Sequence, residues 1–339
     1  MQPHLLYFLT RTPLHVGAGS SVGAIDQPIV RERHTQFPII PASSLKGTFA
    51  DAWADELRPN KRAELVRILK RSAGDSEDYL APNLVWLFGS DDANASAAGA
   101  LQFSEARLLA FPVRSAKGSF AWLTSPLALA RAARDCVPRV KALDKPTLKR
   151  LTDETAFFIK SVKEAAEKES PGALALGDKV VLEEYTFAHS GDPLNDLGNA
   201  LAGLVPDDPV WSQVAQRLAI VSDGMLSFFA KNACEVAQHV SIDDATGTAA
   251  EGKLFNQENV PSETLFYSVL TCFDGRGEFA AGKPAAKTCG QAATAFRDKI
   301  GEAGIGVFQF GGDASTGHGY CTVCLAELVR PSATNANAA

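Results

Sequence analysis

The chain has 339 residues, 46% hydrophobic and 21% charged, enough for a sizeable core and inconsistent with a disordered, collagenous or coiled-coil protein. A formal net charge of −6 argues mildly against nucleic-acid binding, because phosphate neutralisation usually wants an excess of Lys and Arg. The opening residues carry no basic leader and no apolar run long enough to span a bilayer, so the six cysteines are expected as reduced thiols in a cytoplasmic protein.

In chain order, the first strand is expected over residues 4–12, followed by a Gly-rich loop to Pro28 and an extended piece over 29–33. A helix is expected from an N-cap at Ser43 or Ser44 to residue 57, with Leu45, Phe49, Trp53 and Leu57 forming one apolar stripe. A basic helix over 61–71 and a small-residue loop over 90–99 come next. Strands follow at 100–109 and 119–124, then a helix over 126–135 with Pro126 at its first position. Residues 145–211 read as helices separated by turns. Strands are expected at 236–242 and 264–273, separated by an excursion over 243–263 that carries Leu254, Phe255 and Val260. A helix over 291–303, a strand over 306–310, a Gly-rich loop over 311–319 and a last strand complete the order, with a frayed tail over 331–339. Strands and helices mix without a βαβ rhythm, so the fold class is α+β, one domain over 1–330 with insertions near 50–95 and 145–211.

Basic residues cluster at Arg31 and Arg33, from Arg58 to Arg71, and from Arg131 to Arg150. A groove needs only local positive potential, yet a solvated helix face explains each cluster as well. In Pro41-Ala42-Ser43-Ser44-Leu45-Lys46-Gly47, a helix N-terminus offers free N–H groups to a phosphate, and Lys46 opposes the helix dipole unless an anion compensates it. The loops 16–23 and 311–319, the latter with Gly312, Ser315, Thr316, Gly317 and His318, suit close backbone approach to an anion or serve as plain turns. Asp26 closes an Asx-turn, holds a divalent cation, or accepts a proton from a ribose hydroxyl; His15 in the same loop is a candidate acid–base group or a structural histidine. Gly311-Gly312-Asp313 lacks the second carboxylate of a two-metal polymerase, because Ala314 follows. Cys321 and Cys324 have CxxC spacing on a strand, where they face opposite ways, and are expected as buried apolar residues.

Taken together, Thr12 to Gly19, Gly23 to Thr35 and Pro38 to Gly47 resemble the opening of the RAMP superfamily, the RNA-binding subunits of CRISPR systems. Within it, the Arg31-Glu32-Arg33-His34-Thr35 run resembles the backbone subunits of type III-B (Cmr) effectors. Leu87-Phe88-Gly89-Ser90, the run from Gly99 to Arg107, and the 311–319 loop agree with it. The resemblance implies a ferredoxin-like (RRM-like) core with large insertions, and copies of the chain stacked in a filament along a crRNA with other Cmr subunits. It implies a β-hairpin thumb near 243–263, with Leu254, Phe255 and Val260, that wedges into the guide–target duplex. It puts the catalytic aspartate at Asp26, with a loosely held Mg2+ or Mn2+, and a phosphate-contacting lysine at Lys46 beside Ser43, Ser44 and Gly47. Arg31 and Arg33 fall in the lid, where guide contact is expected. The expected activity is endonucleolytic cleavage of complementary single-stranded target RNA at regular intervals. Ala42 stands where the family commonly has Gly, and His318 where it often has Lys. An inert crRNA scaffold and a stand-alone nuclease that trims repeat transcripts share the same architecture and remain alternatives.

Overall fold

Alternation along the first strand divides the molecule. The computed structural model describes residues 1–19, 23–54, 82–90, 97–138, 140–163, 169–191, 195–301 and 304–328. The expected basic helix over 61–71, most of the 90–99 loop and the 331–339 tail lie outside them. In β1 (Gln2–Thr10), Leu6 and Phe8 enter one apolar cluster while Leu5, Tyr7 and Leu9 enter a second on the opposite face. Helix α1 (Ala42–Ala54) follows, then β2 (Ala106–Arg114), β3 (Phe120–Thr124) and α2 (Pro126–Arg134). The next segments are β4 (Thr155–Phe158), β5 (Lys179–Leu182), β6 (Tyr185–His189) and β7 (Leu218–Ile220). Helix α3 (Asp223–Asn232) leads into β8 (Glu235–Ile242) and β9 (Ala249–Asn259). The chain ends through β10 (Leu265–Cys272), α4 (Cys289–Ile300), β11 (Ile305–Gln309) and β12 (Tyr320–Glu327).

Among the described residues one twelve-stranded sheet runs β5-β6-β4-β7-β3-β2-β10-β1-β12-β11, with short strands Ile39–Ile40 and Leu101–Phe103 beside β2 and β10. Its centre, β2-β10-β1-β12, is antiparallel throughout. Helices α1 and α4 cover one face of that centre. Phe49 of α1 sits at 0% exposure between Phe296 of α4 (5.0 Å), Phe103 (5.5 Å) and Phe310 (5.7 Å). Burying such a ring contributes about 1.5–3 kcal/mol. Leu45, Phe49 and Trp53 are all buried, as the stripe requires. On the other face lie Leu129 of α2, Trp122 and Trp211. Cys321 joins the first cluster and Cys324 the second, so the CxxC pair straddles the sheet. No described helix is long and apolar enough to cross a membrane.

Four expectations change. Residues 145–211 mix short strands with two helices, Lys145–Leu148 and Asn195–Ala202, rather than being helical throughout: Thr155-Ala156-Phe157-Phe158 and Lys179-Val180-Val181-Leu182 are short β-branched or aromatic runs, too short for their periodicity to separate strand from helix. Helix α1 begins at Ala42, so Ser43 and Ser44 lie inside its first turn rather than capping it, and Lys46 falls in the second. Helix α4 begins at Cys289 because Thr288 and Gln291 form a reciprocal capping box, which makes Gln291 the third helical residue. The excursion 243–263 is mostly strand. β8 and β9 form a two-stranded sheet of their own, bridged at Gln257 to Gln27, and the turn between them is tied by Asp243, whose carboxylate accepts from the N–H groups of Ala245 and Thr246.

Where the hairpin rejoins the sheet, Glu263 adopts φ +67°; its N–H donates to Thr10 and its carbonyl accepts from the Trp122 indole. Burial, reinforced by Asp208 and opposed by Arg11, pushes its carboxyl up to about 7 from its usual 4.5. The folded chain therefore keeps a proton that the unfolded chain releases near 4.5. This contribution is complete below that pH and is lost as pH rises through about 7. Glu263→Gln, which mimics the protonated form, is expected to raise the melting temperature at pH 8 and leave it unchanged at pH 4. Equal shifts at both pH values would show that Glu263 does not hold this proton.

Candidate functional site

Three loops and the hairpin converge at one end of the sheet. The segments around Val16, Val30 and Ile39 form a small ladder: Ala18 N–H donates to Pro28, Val30 N–H to Val16, and Ile39 N–H to Val30. Helix α1 starts directly after it. The 311–319 loop closes against the same region. The N–H of Gly312 donates to His15 (2.9 Å) and that of Gly319 to Pro13 (2.8 Å). Gly311 has φ +76°, and a Cβ there would stand 2.0 Å from the His15 carbonyl oxygen, so close approach requires glycine.

The base of β9 binds these loops together. Asp26 and Asn256 exchange two hydrogen bonds: Asp26 N–H donates to Asn256 Oδ1 (2.7 Å), and Asn256 N–H donates to Asp26 Oδ2 (2.9 Å). Asn256 Nδ2 also donates to the Ala24 carbonyl (2.9 Å). Next along β9, the Gln257 amide donates to Asp313 Oδ2 (2.7 Å), linking the 311–319 loop. Glu258 is buried. Its carboxylate accepts from Ile29 N–H (3.1 Å) and Arg31 Nη2 (2.6 Å), and its carbonyl accepts from His15 Nδ1 (2.7 Å).

The candidate residues separate into exposed and internal sets. Asp26, Arg33, Ser43, Lys46, Gly47, Gly312, Ser315 and Thr316 are exposed, and Ser44, Gly317 and His318 are partly covered. His15 is buried, with Nδ1 donating to a carbonyl, so its ring holds the loop. A Cβ at Gly17 would come 2.9 Å from its Nε2. Arg31, expected toward the guide, is turned inward. Besides Glu258 it donates to the Gln36 and Ala230 carbonyls and to Cys234 Sγ (3.2 Å), whose thiol burial pushes up to about 12. Glu32 similarly receives Arg131 at 2.9 and 3.0 Å. Of the three hairpin residues, Leu254 is exposed and Phe255 partly covered, stacking on His239 at 5.1 Å. Val260 is a correction: it is 3% exposed, bridged to Leu14 in the core rather than on the hairpin surface. The sequence does not single out Asn256 or Glu258, because a polar strand residue carries no local motif; the unbroken polar run Asn256-Gln257-Glu258-Asn259 is the signal available, and its last three residues are buried.

Residues 7–322 match the RAMP superfamily. The chain belongs to that superfamily. This RAMP protein is 29% identical over 339 residues, 99% of its own length and all of the relative's, to the CRISPR system Cmr endoribonuclease Cmr4 of Pyrococcus furiosus. It is 38% identical over 98 residues, 28% of this chain and 41% of the other, to the CRISPR system Cms endoribonuclease Csm3 of Enterococcus italicus. The crystal structure of oligomeric Cmr4 from Pyrococcus furiosus superposes with a TM-score of 0.62 at 25% identity, covering 97% of this chain and 100% of that one. A chain of the type III-B Cmr-beta complex bound to cognate target RNA shares the fold, with a TM-score of 0.61 at 18% identity, over 96% of this chain and 97% of that one.

Proposed function

We propose that this RAMP protein is the backbone subunit of a cytoplasmic type III-B effector. Copies of it line a crRNA beside other Cmr subunits, and each cuts complementary target RNA with Asp26. The core is read as ferredoxin-like, supported by the antiparallel order β2-β10-β1-β12 with α1 and α4 on one face. The β8–β9 hairpin is read as the thumb. Val236, Val240, Ile242 and Leu254 are each more than half exposed on it, and Val240 and Leu254 lie directly opposite one another. Apolar side chains on a projecting ribbon suit unstacked bases. The observation that carries the reading is the seat of Asp26: an exposed carboxylate hydrogen-bonded to that hairpin.

The hairpin parts one base pair and turns the target backbone. The 2′-hydroxyl then lies in line with the adjacent phosphorus. Asp26 accepts the 2′-proton as the 2′-oxygen attacks, the bond from phosphorus to the 5′-oxygen breaks, and that oxygen takes a proton from solvent. The products are a 2′,3′-cyclic phosphate and a 5′-hydroxyl. Lys46, Ser43, Ser44 and Gly47 at the start of α1, with Arg33 and the exposed 311–319 loop, are assigned to guide phosphates. Among the described residues no three His, Cys, Asp or Glu side chains gather. Asp26 with one carboxylate oxygen suits a Mg2+ or Mn2+ ion that keeps most of its waters, which when bound supplies positive charge at the scissile phosphate.

The test is cleavage of end-labelled complementary RNA by the reconstituted complex, with and without chelator. Regularly spaced products ending in 2′,3′-cyclic phosphate, reduced at least tenfold by chelator, are expected. Ends bearing a 3′-hydroxyl rule out attack by the 2′-oxygen, and binding without cuts leaves a scaffold. Cutting of repeat RNA by the isolated chain points to a processing nuclease instead.

A further inference from the structure

We propose that Asn256 is a positioning residue for Asp26, and that through it the hairpin sets the orientation of the carboxylate; the proposal rests on the assignment of Asp26 as the proton acceptor. The geometry is reciprocal. Asn256 Oδ1 takes the Asp26 N–H at 2.7 Å, its Nδ2 holds the Ala24 carbonyl at 2.9 Å, and its own N–H fixes Asp26 Oδ2 at 2.9 Å. Three bonds from one residue restrain the Asp26 backbone on two sides and occupy one carboxylate oxygen. Oδ1 is left to meet substrate. The neighbouring bonds extend the same registration, since Gln27 N–H donates to the Asn256 carbonyl (3.1 Å) and Glu258 N–H to the Gln27 carbonyl (3.0 Å).

A loop with Gly19 and Gly23 in left-handed conformation has little internal restraint on the direction of a side chain at position 26. The β9 strand supplies it. Asn256 lies two residues from the exposed Leu254, so a displacement of the hairpin by bound RNA is carried by one rigid strand to the carboxylate. Small errors in aim lower rate steeply, which is why a residue that need not touch RNA alters chemistry.

The experiment uses the assembled complex with saturating complementary RNA under single-turnover conditions. Asn256→Ala is expected to slow cleavage by about tenfold or more with target affinity unchanged, whereas Asp26→Ala abolishes it. Asn256→Asp keeps the oxygen that accepts the Asp26 N–H, loses the donor to Ala24 and adds a like charge. It is expected to move the acid limb of the rate–pH profile to higher pH. Wild-type rate in Asn256→Ala, or an unmoved profile in Asn256→Asp, overturns the positioning role while the Asp26 assignment stands. Full cutting by Asp26→Ala overturns both. Weakened target binding that accounts for the whole loss in Asn256→Ala makes Asn256 an RNA contact and overturns the proposal.

Discussion

Asp26→Ala is expected to abolish target cleavage, by 10²-fold or more, while the complex still assembles and binds target. The expectation follows from what the side chain touches. Its carboxylate receives one backbone N–H, from Asn256, and is otherwise exposed. Removing it leaves the Asp26 N–H still bonded to Asn256 Oδ1 and the Ala24 carbonyl still held, so the loop keeps its course. Stability should change by no more than about 0.5 kcal/mol, as for surface substitutions generally. Asp26→Asn sharpens the test, since its oxygen still accepts from Asn256 but takes no proton at neutral pH. If Asp26 is the proton acceptor, both variants fail equally in single-turnover assays with filter-binding affinity intact. If Asp26→Asn cuts at the wild-type rate, the carboxylate serves geometry only, and the proton goes elsewhere.

How far the sequence displayed this site depends on which forces act locally. The stripe Leu45, Phe49, Trp53 and the helix start at Pro126 declare themselves because periodicity and first-turn preference are decided within a few residues. The loops around Asp26 and Gly312 were legible as motifs, since a close approach such as Gly311 on His15 tolerates no other residue type. Arg31 and Arg131 were misleading as a basic surface. Each is neutralised by a carboxylate, Glu258 and Glu32, 227 and 99 residues away in the chain, and no local rule reports that distance. The same limit hid the strands of 145–211. β4 is four residues long and finds its partners in β6 and β7, so its conformation is fixed by pairing rather than by its own pattern. A net charge of −6 likewise says little about RNA binding, because Lys46 and Arg33 remain exposed at one end of the sheet.

The largest stability effect is expected at Glu258, the hairpin residue that binds Ile29 and Arg31. Glu258→Ala should cost about 3–5 kcal/mol, a large share of a typical folding free energy. The pair with Arg31 is 2.6 Å long with side chains only 12% and 5% exposed, so removing one partner leaves a guanidinium in a site built for its counter-charge. Ile29 N–H loses its acceptor as well. The carbonyl that holds His15 is unaffected, being main chain, so the Gly-rich loop keeps that anchor and the loss falls on the segment from Ile29 to Arg31. Arg31→Ala should cost a comparable amount, because it strands the carboxylate instead. The double replacement Arg31→Met with Glu258→Met removes both charges and fills the space, and should recover most of the loss despite the missing bonds to Gln36, Ala230 and Cys234 and the Ile29 N–H left without its acceptor. Urea unfolding of the single and double variants measures the coupling. Strictly additive costs would mean that the two charges are independently solvated, and the segment around Arg31 would then be held by its backbone ladder through Val16, Val30 and Ile39 rather than by the ion pair.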